Sequence, residues 1–362
     1  MSRITKATAY LIDLEVETLR TDAVQAFIKQ ETIMVELETD DGLSGTGYSY
    51  TIGTGGQAVL SMLREHLLAL LPGQDASSVE QVWHTLFAST RSTTVGAITS
   101  LALAAVDTAM WDLRCKRADL PLWQAAGGFR RSVPLYDTEG GWLHLETDDL
   151  VNGAVESKKR GLRGVKLKIG KPSAAEDFGR IQAVREAVGS DFALMVDANQ
   201  SLTGAEAIRR ARMLEPLDLD WIEEPLPADD MAGHARLSRS TSTPIAVGES
   251  LYSLGQFREY LGAGAAGIVQ PDVARIGGIT PWLKAAHLAE GFNVAVCPHF
   301  LMELHVSLAA AVPNGRYVEH IPQLRAVTHS DMEIEDGEAV APSSVGLGID
   351  WDRDAIEDGR VA

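Results

Sequence analysis

The chain has 362 residues, with 32 lysines and arginines against 50 aspartates and glutamates, a net charge of −18. At about 150 residues per domain that length predicts two domains, and the acid excess excludes the basic footprint that nucleic acids and anionic membranes select. A hydrophobic content of 45% with 23% charged residues belongs to a folded globular chain and excludes bulk disorder. Two cysteines, Cys115 and Cys297, make no disulfide framework, so a reducing cytoplasm is the expected compartment. Residues 1–10 carry Arg3 and Lys6 without an apolar core of signal-peptide length. No run reaches the ~18 apolar residues of a membrane span.

In chain order, residues 3–13 and 31–38 read as strands. Glu31 to Glu38 alternates apolar and polar and then meets the Asp40-Asp41-Gly42 turn, which makes 43–50 the hairpin partner. Helical patterns follow over 58–71, 79–87 and an alanine-rich stretch, 97–117. Pro121 and Gly127-Gly128 close the region. A meander followed by helices predicts an α+β unit over residues 1–130.

After residue 130 short apolar strands recur, each followed by a helical pattern. They fall at 133–138, 164–169, 193–198, 220–224, 244–249, 267–271, 293–297 and 317–320. Eight βα units in roughly 200 residues predict a (β/α)8 barrel over 131–335. The expected fold class is therefore α/β, a (β/α)8-type barrel with an α+β capping domain. A doubly wound open sheet is the alternative, weakened because no Gly-x-Gly-x-x-Gly follows a first strand. Residues 336–362 hold strand-like pieces at 339–341 and 345–349 and no ninth helix. They are expected to return to the capping domain.

In a parallel barrel, ligand and catalytic groups stand at the C-terminal ends of the strands. Seven consecutive ends here carry titratable groups: Lys166 with Lys168, then Asp197, Glu223, Glu249, Asp272, His299 and Glu319. From Lys168 onward the spacings are 29, 26, 26, 23, 27 and 20 residues, about one βα unit each.

Residues i and i+2 of a strand share a face, so Lys166 and Lys168 point into the barrel together. Two adjacent ammoniums are expected to depress each other's pKa and leave one a base near neutral pH. The bland alternative is an exposed edge strand with solvated lysines. Asp197, Glu223 and Glu249 would repel one another without a cation, and hard oxygen donors suit Mg2+. Their alternative is helix capping or ion pairing. Glu224 should point away from Glu223, so only one of the two is a ligand. Asp272 beside His299 would fix the imidazole's tautomer and raise its basicity. Glu319 either binds substrate as a neutral carboxylic acid or caps the barrel. The Gly53-Thr54-Gly55-Gly56 turn lacks a lysine at P-loop spacing and reads as a mobile loop.

These residues stand in motifs that resemble the enolase superfamily, and within it the mandelate racemase subgroup. The motifs are Val165-Lys166-Leu167-Lys168-Ile169-Gly170, Val196-Asp197-Ala198-Asn199-Gln200, Trp221-Ile222-Glu223-Glu224-Pro225, Gly248-Glu249, Gln270-Pro271-Asp272 with Gly277-Gly278, Pro298-His299-Phe300 and Glu319-His320. Through Tyr136 to His144 and Glu303-Leu304-His305 the chain is most similar to acid sugar dehydratases of the galactarate and L-talarate type. Residues 15–30 and 50–56 depart from the pattern.

The resemblance implies a Mg2+ held by Asp197, Glu223 and Glu249. It implies Lys168 and His299 as acid/base groups on opposite substrate faces, with Asp272 paired to His299. Lys166 and Glu319 would stabilise the substrate carboxylate and its enediolate. It also implies a homo-oligomer, dimer to octamer. The expected reaction is abstraction of the proton α to a carboxylate, dehydrating a sugar acid or aldarate to a 2-keto-3-deoxy acid. Tyr136, Thr138, His144 and Asn199 are the candidate substrate contacts. Racemisation or epimerisation at the same carbon is the alternative. A non-catalytic barrel is a further one, which so many charged strand ends oppose.

Overall fold

The 31–38 alternation gives one strand two usable faces, and both are used. The computed structural model describes every residue except Met1, Glu15, Glu17 and Ile28. It opens with β1 (Ile4–Leu14), a small hairpin of β2 (Arg20–Thr21) and β3 (Ala26–Phe27), β4 (Gln30–Thr39) and β5 (Ser44–Thr51). Strands β1, β4 and β5 form an antiparallel sheet in which Tyr50 lies opposite Thr32 and Tyr48 opposite Met34. Three helices follow: α1 (Gly56–Met62), α2 (Val79–Ser89) and α3 (Ala97–Ala118).

Glycines on one face of β5 let α3 lie directly on the strand. A Cβ on Gly47 would sit 2.2 Å from the Ala109 nitrogen, and one on Gly45 2.4 Å from the Ala109 carbonyl. That close approach is what the alanine-rich sequence of α3 serves. On the opposite face, Tyr48 meets Trp351 edge-on at 5.4 Å and Tyr50 reaches the barrel. The single helix expected at 58–71 is interrupted: a π-type turn over Leu63–Leu67 and a 3₁₀ turn over Leu68–Leu70 follow α1.

A short helix, α4 (Leu122–Ala125), leads to the barrel. Its units are β6 (Ser132–Asp137) with α5 (Thr147–Lys159), β7 (Gly164–Lys168) with α6 (Ala174–Val188), β8 (Ala193–Asp197) with α7 (Gly204–Leu214), and β9 (Trp221–Glu223) with α8 (Met231–Ser238). Then come β10 (Ile245–Val247) with α9 (Leu254–Gly262), β11 (Ile268–Val269) with α10 (Ile279–Gly291), β12 (Ala295–Val296) with α11 (Met302–Ala311), and β13 (Val318–His320). Neighbours pair in parallel from β6 to β12, and β13 returns to pair with β6. Bonds from Val296 to Asn314 and Arg316 close the ring. Several strands stop short of the apolar pattern because Pro225, Pro271 and Pro298 follow and offer no N–H. Tyr136, Met195, Trp221, Ala246, Ile268 and Cys297 fill the barrel interior below the charged ends.

Residues after the barrel run to both parts. The hairpin of β14 (Ile334–Glu335) and β15 (Glu338–Val340) joins the barrel, β15 pairing antiparallel with the start of β6. Further on, Gly346 accepts from the Leu122 nitrogen (2.9 Å), and Leu11 exchanges bonds with Val361 and Ala362. A helix the sequence pattern did not give, α12 (Arg353–Asp358), forms because the Asp352 carboxylate caps it, accepting from the Asp354 and Ala355 nitrogens. Among the described residues no helix is long and apolar enough to cross a membrane.

Helix α3 is tied to the barrel by one buried carboxylate. Asp107 accepts from the Thr280 nitrogen (2.8 Å) and hydroxyl (2.7 Å), so it caps α10 from outside. Trp111 donates to the same hydroxyl (2.9 Å), and Trp83 donates to the Gly277 carbonyl (2.8 Å). Burial pushes Asp107 up to about 7 even so. Asp107→Ala leaves the Thr280 donors unpaired at a buried helix start. It is expected to cost about 2–3 kcal/mol in urea unfolding, and a loss within error of zero would remove Asp107 from this role.

Candidate active site

Alternation along β7 puts Lys166 and Lys168 on the interior face, and both are buried. The Lys166 ammonium donates to Glu223 Oε1 (2.6 Å) and lies 2.9 Å from Glu319 Oε1. Lys168 donates to Asp197 Oδ2 at 2.5 Å. The base near neutral pH expected of the lysine pair is not what these contacts favour. Burial pushes both down and Lys166 further depresses Lys168, but the carboxylates prevail, so Lys166 beside Glu223 and Glu319 is raised and Lys168 beside Asp197 is raised too. Contact at 2.5–2.9 Å outweighs repulsion between the two ammoniums.

Asp197, Glu223 and Glu249 converge as the strand ends predict. One carboxylate oxygen from each lies within 4.8 Å of the other two, and all three groups are buried. Their neighbours fix them. Trp221 (3.0 Å) and Gln270 (2.6 Å) donate to Glu223 Oε2, the Asn199 nitrogen donates to Asp197 Oδ1 (2.8 Å), and Arg275 donates to Glu249 Oε1 (3.1 Å). Burial raises the Glu223 pKa, Lys166 pulls it back, and the Asp197, Glu319 and Glu249 carboxylates add to the rise. A carboxylate cluster short of positive charge, made only of hard oxygen donors, fits a Mg2+ ion. The buried oxygens Asn199 Oδ1 and Gln270 Oε1, which have no partner among the described residues, agree with that fit. Glu224 turns aside at φ 35° and accepts from Gln200 (2.9 Å), so Glu223 alone joins the cluster.

The third group is the imidazole pair. His299 Nδ1 lies 3.0 Å from Asp272 Oδ2, and its Nε2 lies 3.3 Å from Glu249 Oε2. Asp272 also accepts from the Ala274 (2.8 Å) and Arg275 (3.2 Å) nitrogens and from the Tyr50 hydroxyl (2.6 Å). Burial would raise its carboxyl, but His299 and Arg275 draw it down to about 2. Glu319 accepts from Thr138 (2.7 Å), the Phe300 nitrogen (2.9 Å) and Lys166. Against its burial, Lys166 and His299 hold Glu319 well below the usual carboxylate range. Of its two alternative roles, the neutral acid is not the form this packing favours.

The candidate substrate contacts divide. Thr138 and Asn199 stand at the charged layer, each touching one of its carboxylates. Tyr136 lies beneath, its ring packed edge-on against Trp221 at 5.4 Å and fully buried. It is part of the barrel filling, because the inward face of β6 meets the neighbouring strands before it reaches the mouth. His144 is exposed and bonded to Thr21 (2.8 Å) on β2. The loop between β2 and β3 leans on the site: Ala23 would block a Cβ on Gly170 at 2.6 Å, and Phe27 packs on Trp142 at 5.6 Å. The glycine turn expected to be mobile is pinned at its edges by Glu31, which accepts from Thr51 (2.6 Å) and the Gly56 nitrogen (3.0 Å).

Three residues of the site carry no signal in strand-end reading: Tyr50, Arg275 and His305. The last sits under the imidazole pair. His305 Nε2 accepts from the Val273 nitrogen (3.1 Å) and Nδ1 donates to the Phe300 carbonyl (3.0 Å), which joins the loops bearing Asp272 and His299. Burial pushes its pKa down to about 4.

Two segments of the chain match known families: residues 9–127 the mandelate racemase / muconate lactonizing enzyme N-terminal domain, and residues 149–355 the enolase C-terminal domain-like family. The chain belongs to the mandelate racemase subgroup of the enolase superfamily, and the expected fold of a capping domain on a (β/α)8 barrel holds. It is 40% identical over 317 residues to the L-talarate/galactarate dehydratase of Salmonella typhimurium, spanning 88% of this chain and 79% of that protein. It is 39% identical over 354 residues to the 3,6-anhydro-α-L-galactonate cycloisomerase of Streptomyces coelicolor, spanning 97% of each. The crystal structure of the Salmonella dehydratase liganded with Mg and L-lyxarohydroxamate matches with a TM-score of 0.95 at 36% identity, covering 100% of this chain and 93% of that one. The chain is thus an enzyme, similar to named dehydratases, and Mg2+ is the cofactor its buried carboxylates suit.

Two outcomes follow from this geometry. Added Mg2+ should raise the melting temperature of the wild-type chain and leave Asp197→Asn unmoved, the gain at a hundredfold excess over Kd being about 2.7 kcal/mol. An equal rise in both would place the ion elsewhere. The depressed pKa of His305 makes its contribution to stability complete above its ordinary value of 6.5 and lost as pH falls toward 4. His305→Gln should therefore flatten the acid limb of stability between those values by about 3 kcal/mol, measured by urea unfolding at stepped pH.

Proposed function

We propose that this chain is a Mg2+-dependent acid sugar dehydratase, acting on a sugar acid or aldarate of the galactarate/L-talarate kind to give a 2-keto-3-deoxy acid. The observation that carries this reading is the placing of two proton-transfer groups at opposite ends of the carboxylate triad. Lys168 touches Asp197 from β7, and His299 touches Glu249 from the loop after β12. A substrate carboxylate seated at the triad would present its α-carbon between them.

A Mg2+ held by Asp197, Glu223 and Glu249 would supply fixed charge to stabilise negative charge developing on the substrate carboxylate. The protein groups do the rest. Lys166 adds a second fixed positive charge beside it, held in place by Glu319. One of Lys168 Nζ and His299 Nε2 takes the α-proton as the C–H bond breaks. The other hands a proton to the β-hydroxyl oxygen as the C–O bond breaks, releasing water. The enol left behind tautomerises to the keto acid. Asp272 holds Nδ1–H of His299, so Nε2 is the nitrogen that exchanges protons.

A second reading has its own support, since the Streptomyces coelicolor cycloisomerase matches over 97% of both chains. Such an isomerisation begins with proton exchange and loses no water overall. Epimerisation at the α-carbon shares that feature. Residues 1–130, 131–335 and 336–362 are assigned as cap, barrel and returning segment. A homo-oligomer in a reducing cytoplasm completes the proposal, and the two cysteines, both buried and unpaired, agree with that compartment.

Incubation of the Mg2+-loaded enzyme with a sugar-acid library in D2O tests all three readings. The expected result is a 2-keto-3-deoxy acid carrying solvent deuterium at C3, with kcat reduced by about 10³-fold or more in Lys168→Ala. Deuterium in recovered substrate, or a product of unchanged composition, selects epimerisation or cycloisomerisation. No conversion of any sugar acid sinks the proposal.

A further inference from the structure

Asp272 is the orienting partner of His299, yet one of its donors comes from the sheet 222 residues earlier in the chain. Four groups donate to this carboxylate. The Ala274 and Arg275 nitrogens serve Oδ1, and Oδ2 accepts from His299 Nδ1 (3.0 Å) and from the Tyr50 hydroxyl (2.6 Å). The first two belong to its own loop and fix one oxygen. Oδ2 is aimed at the imidazole by hydrogen bonds from His299 itself and from Tyr50, with the Arg275 guanidinium further off at 3.9 Å. The Tyr50 phenol is buried and its pKa is raised, so it remains a donor. Its ring is held independently of its hydroxyl, by Phe300 at 4.6 Å and by the Arg275 guanidinium at 6.0 Å.

We propose that Tyr50 is a positioning residue for the acid/base imidazole: its hydroxyl, carried on β5, completes the donor set of Asp272 and so aligns His299 only when the sheet is seated on the barrel. The proposal rests on the reading of His299 as a proton-transfer group. Strand β5 reaches the site as a rigid arm. Its other face is locked to α3 through Gly45 and Gly47, and α3 is locked to the barrel through Asp107. A hydroxyl delivered this way cannot drift without moving the whole sheet. The imidazole on one substrate face is thereby wired to the capping sheet, whereas Lys168 on the other face donates its hydrogen bond to Asp197 on the barrel strand β8.

The test is Tyr50→Phe in the Mg2+-loaded enzyme, alone and in an Asp272→Asn background. Phe keeps both ring contacts and removes one hydrogen bond to a charged group, so kcat should fall about tenfold. KM and the Mg2+-induced rise in melting temperature should stay within twofold and within error, respectively. In Asp272→Asn the same substitution should cost nothing further, because Tyr50 acts through that carboxylate. Losses that multiply, or a change confined to KM, overturn the proposal. Turnover is not the only readout. In protein labelled with [15N]histidine, the Nδ1–H proton of His299 should move in Tyr50→Phe, and an unmoved resonance also overturns the proposal. That signal needs no substrate, so if no sugar acid is converted the dehydratase reading fails while this one is still decided. If Tyr50→Phe does not fold, 3-fluorotyrosine incorporation replaces it. The stronger phenol donor must move the same resonance, or the proposal falls.

Discussion

A buried ammonium survives only in contact with carboxylates, and a buried carboxylate only in contact with donors. That constraint organises the barrel mouth. Lys166 and Lys168 are each placed against an acid from another strand, and each acid is then supplied with donors of its own. Glu223 is served by Lys166, Trp221 and Gln270, and Glu319 by Lys166, Thr138 and the Phe300 nitrogen. Because each group is held from several strands at once, no strand can shift by a residue without stranding a charge. Register in the barrel is enforced by its polar layer as firmly as by the apolar one below.

The same constraint explains why a chain of net charge −18 can be expected to bind an anion. The global excess of acid acts over a screened distance of about 10 Å in solution. The site is governed by the two lysines, Arg275 and the cation its carboxylates suit, all within direct contact. Acid-rich stretches such as 331–338 and 350–358 stand apart from those contacts and are better read as keeping the surface solvated.

The sequence made this layer visible because a barrel repeats. One strand end per βα unit forces titratable residues into regular spacing, and Asp197, Glu223 and Glu249 duly converge. What was hidden follows from contacts that spacing does not encode. Tyr50 reaches Asp272 across 222 positions, His305 works through two backbone atoms, and Arg275 stands six residues past the end of β11. Tyr136 shows the limit from the other side. It was expected among the substrate contacts with Thr138, but depth along the barrel axis has no signature in the pattern. The net direction of the two lysines' pKa shifts was misjudged for a similar reason. Their mutual distance could be read from the strand, and their distance to the carboxylates of other strands could not.

The pairing of β15 with β6 also bears on how the molecule assembles. Ser132 on the first barrel strand is bonded to Glu338, 206 positions later, and the outer edge of β1 waits for residues 359–362 to bond Leu11 and Asp13. The start of β6 therefore stays unpaired during synthesis until residues 338–340 have emerged, and the edge of β1 until residues 359–362 have. An open edge is a template for the wrong partner, and closure over such separations is slow. Residues 338–362 are in effect a clasp, fastening together two units whose other strands come from far earlier in the chain.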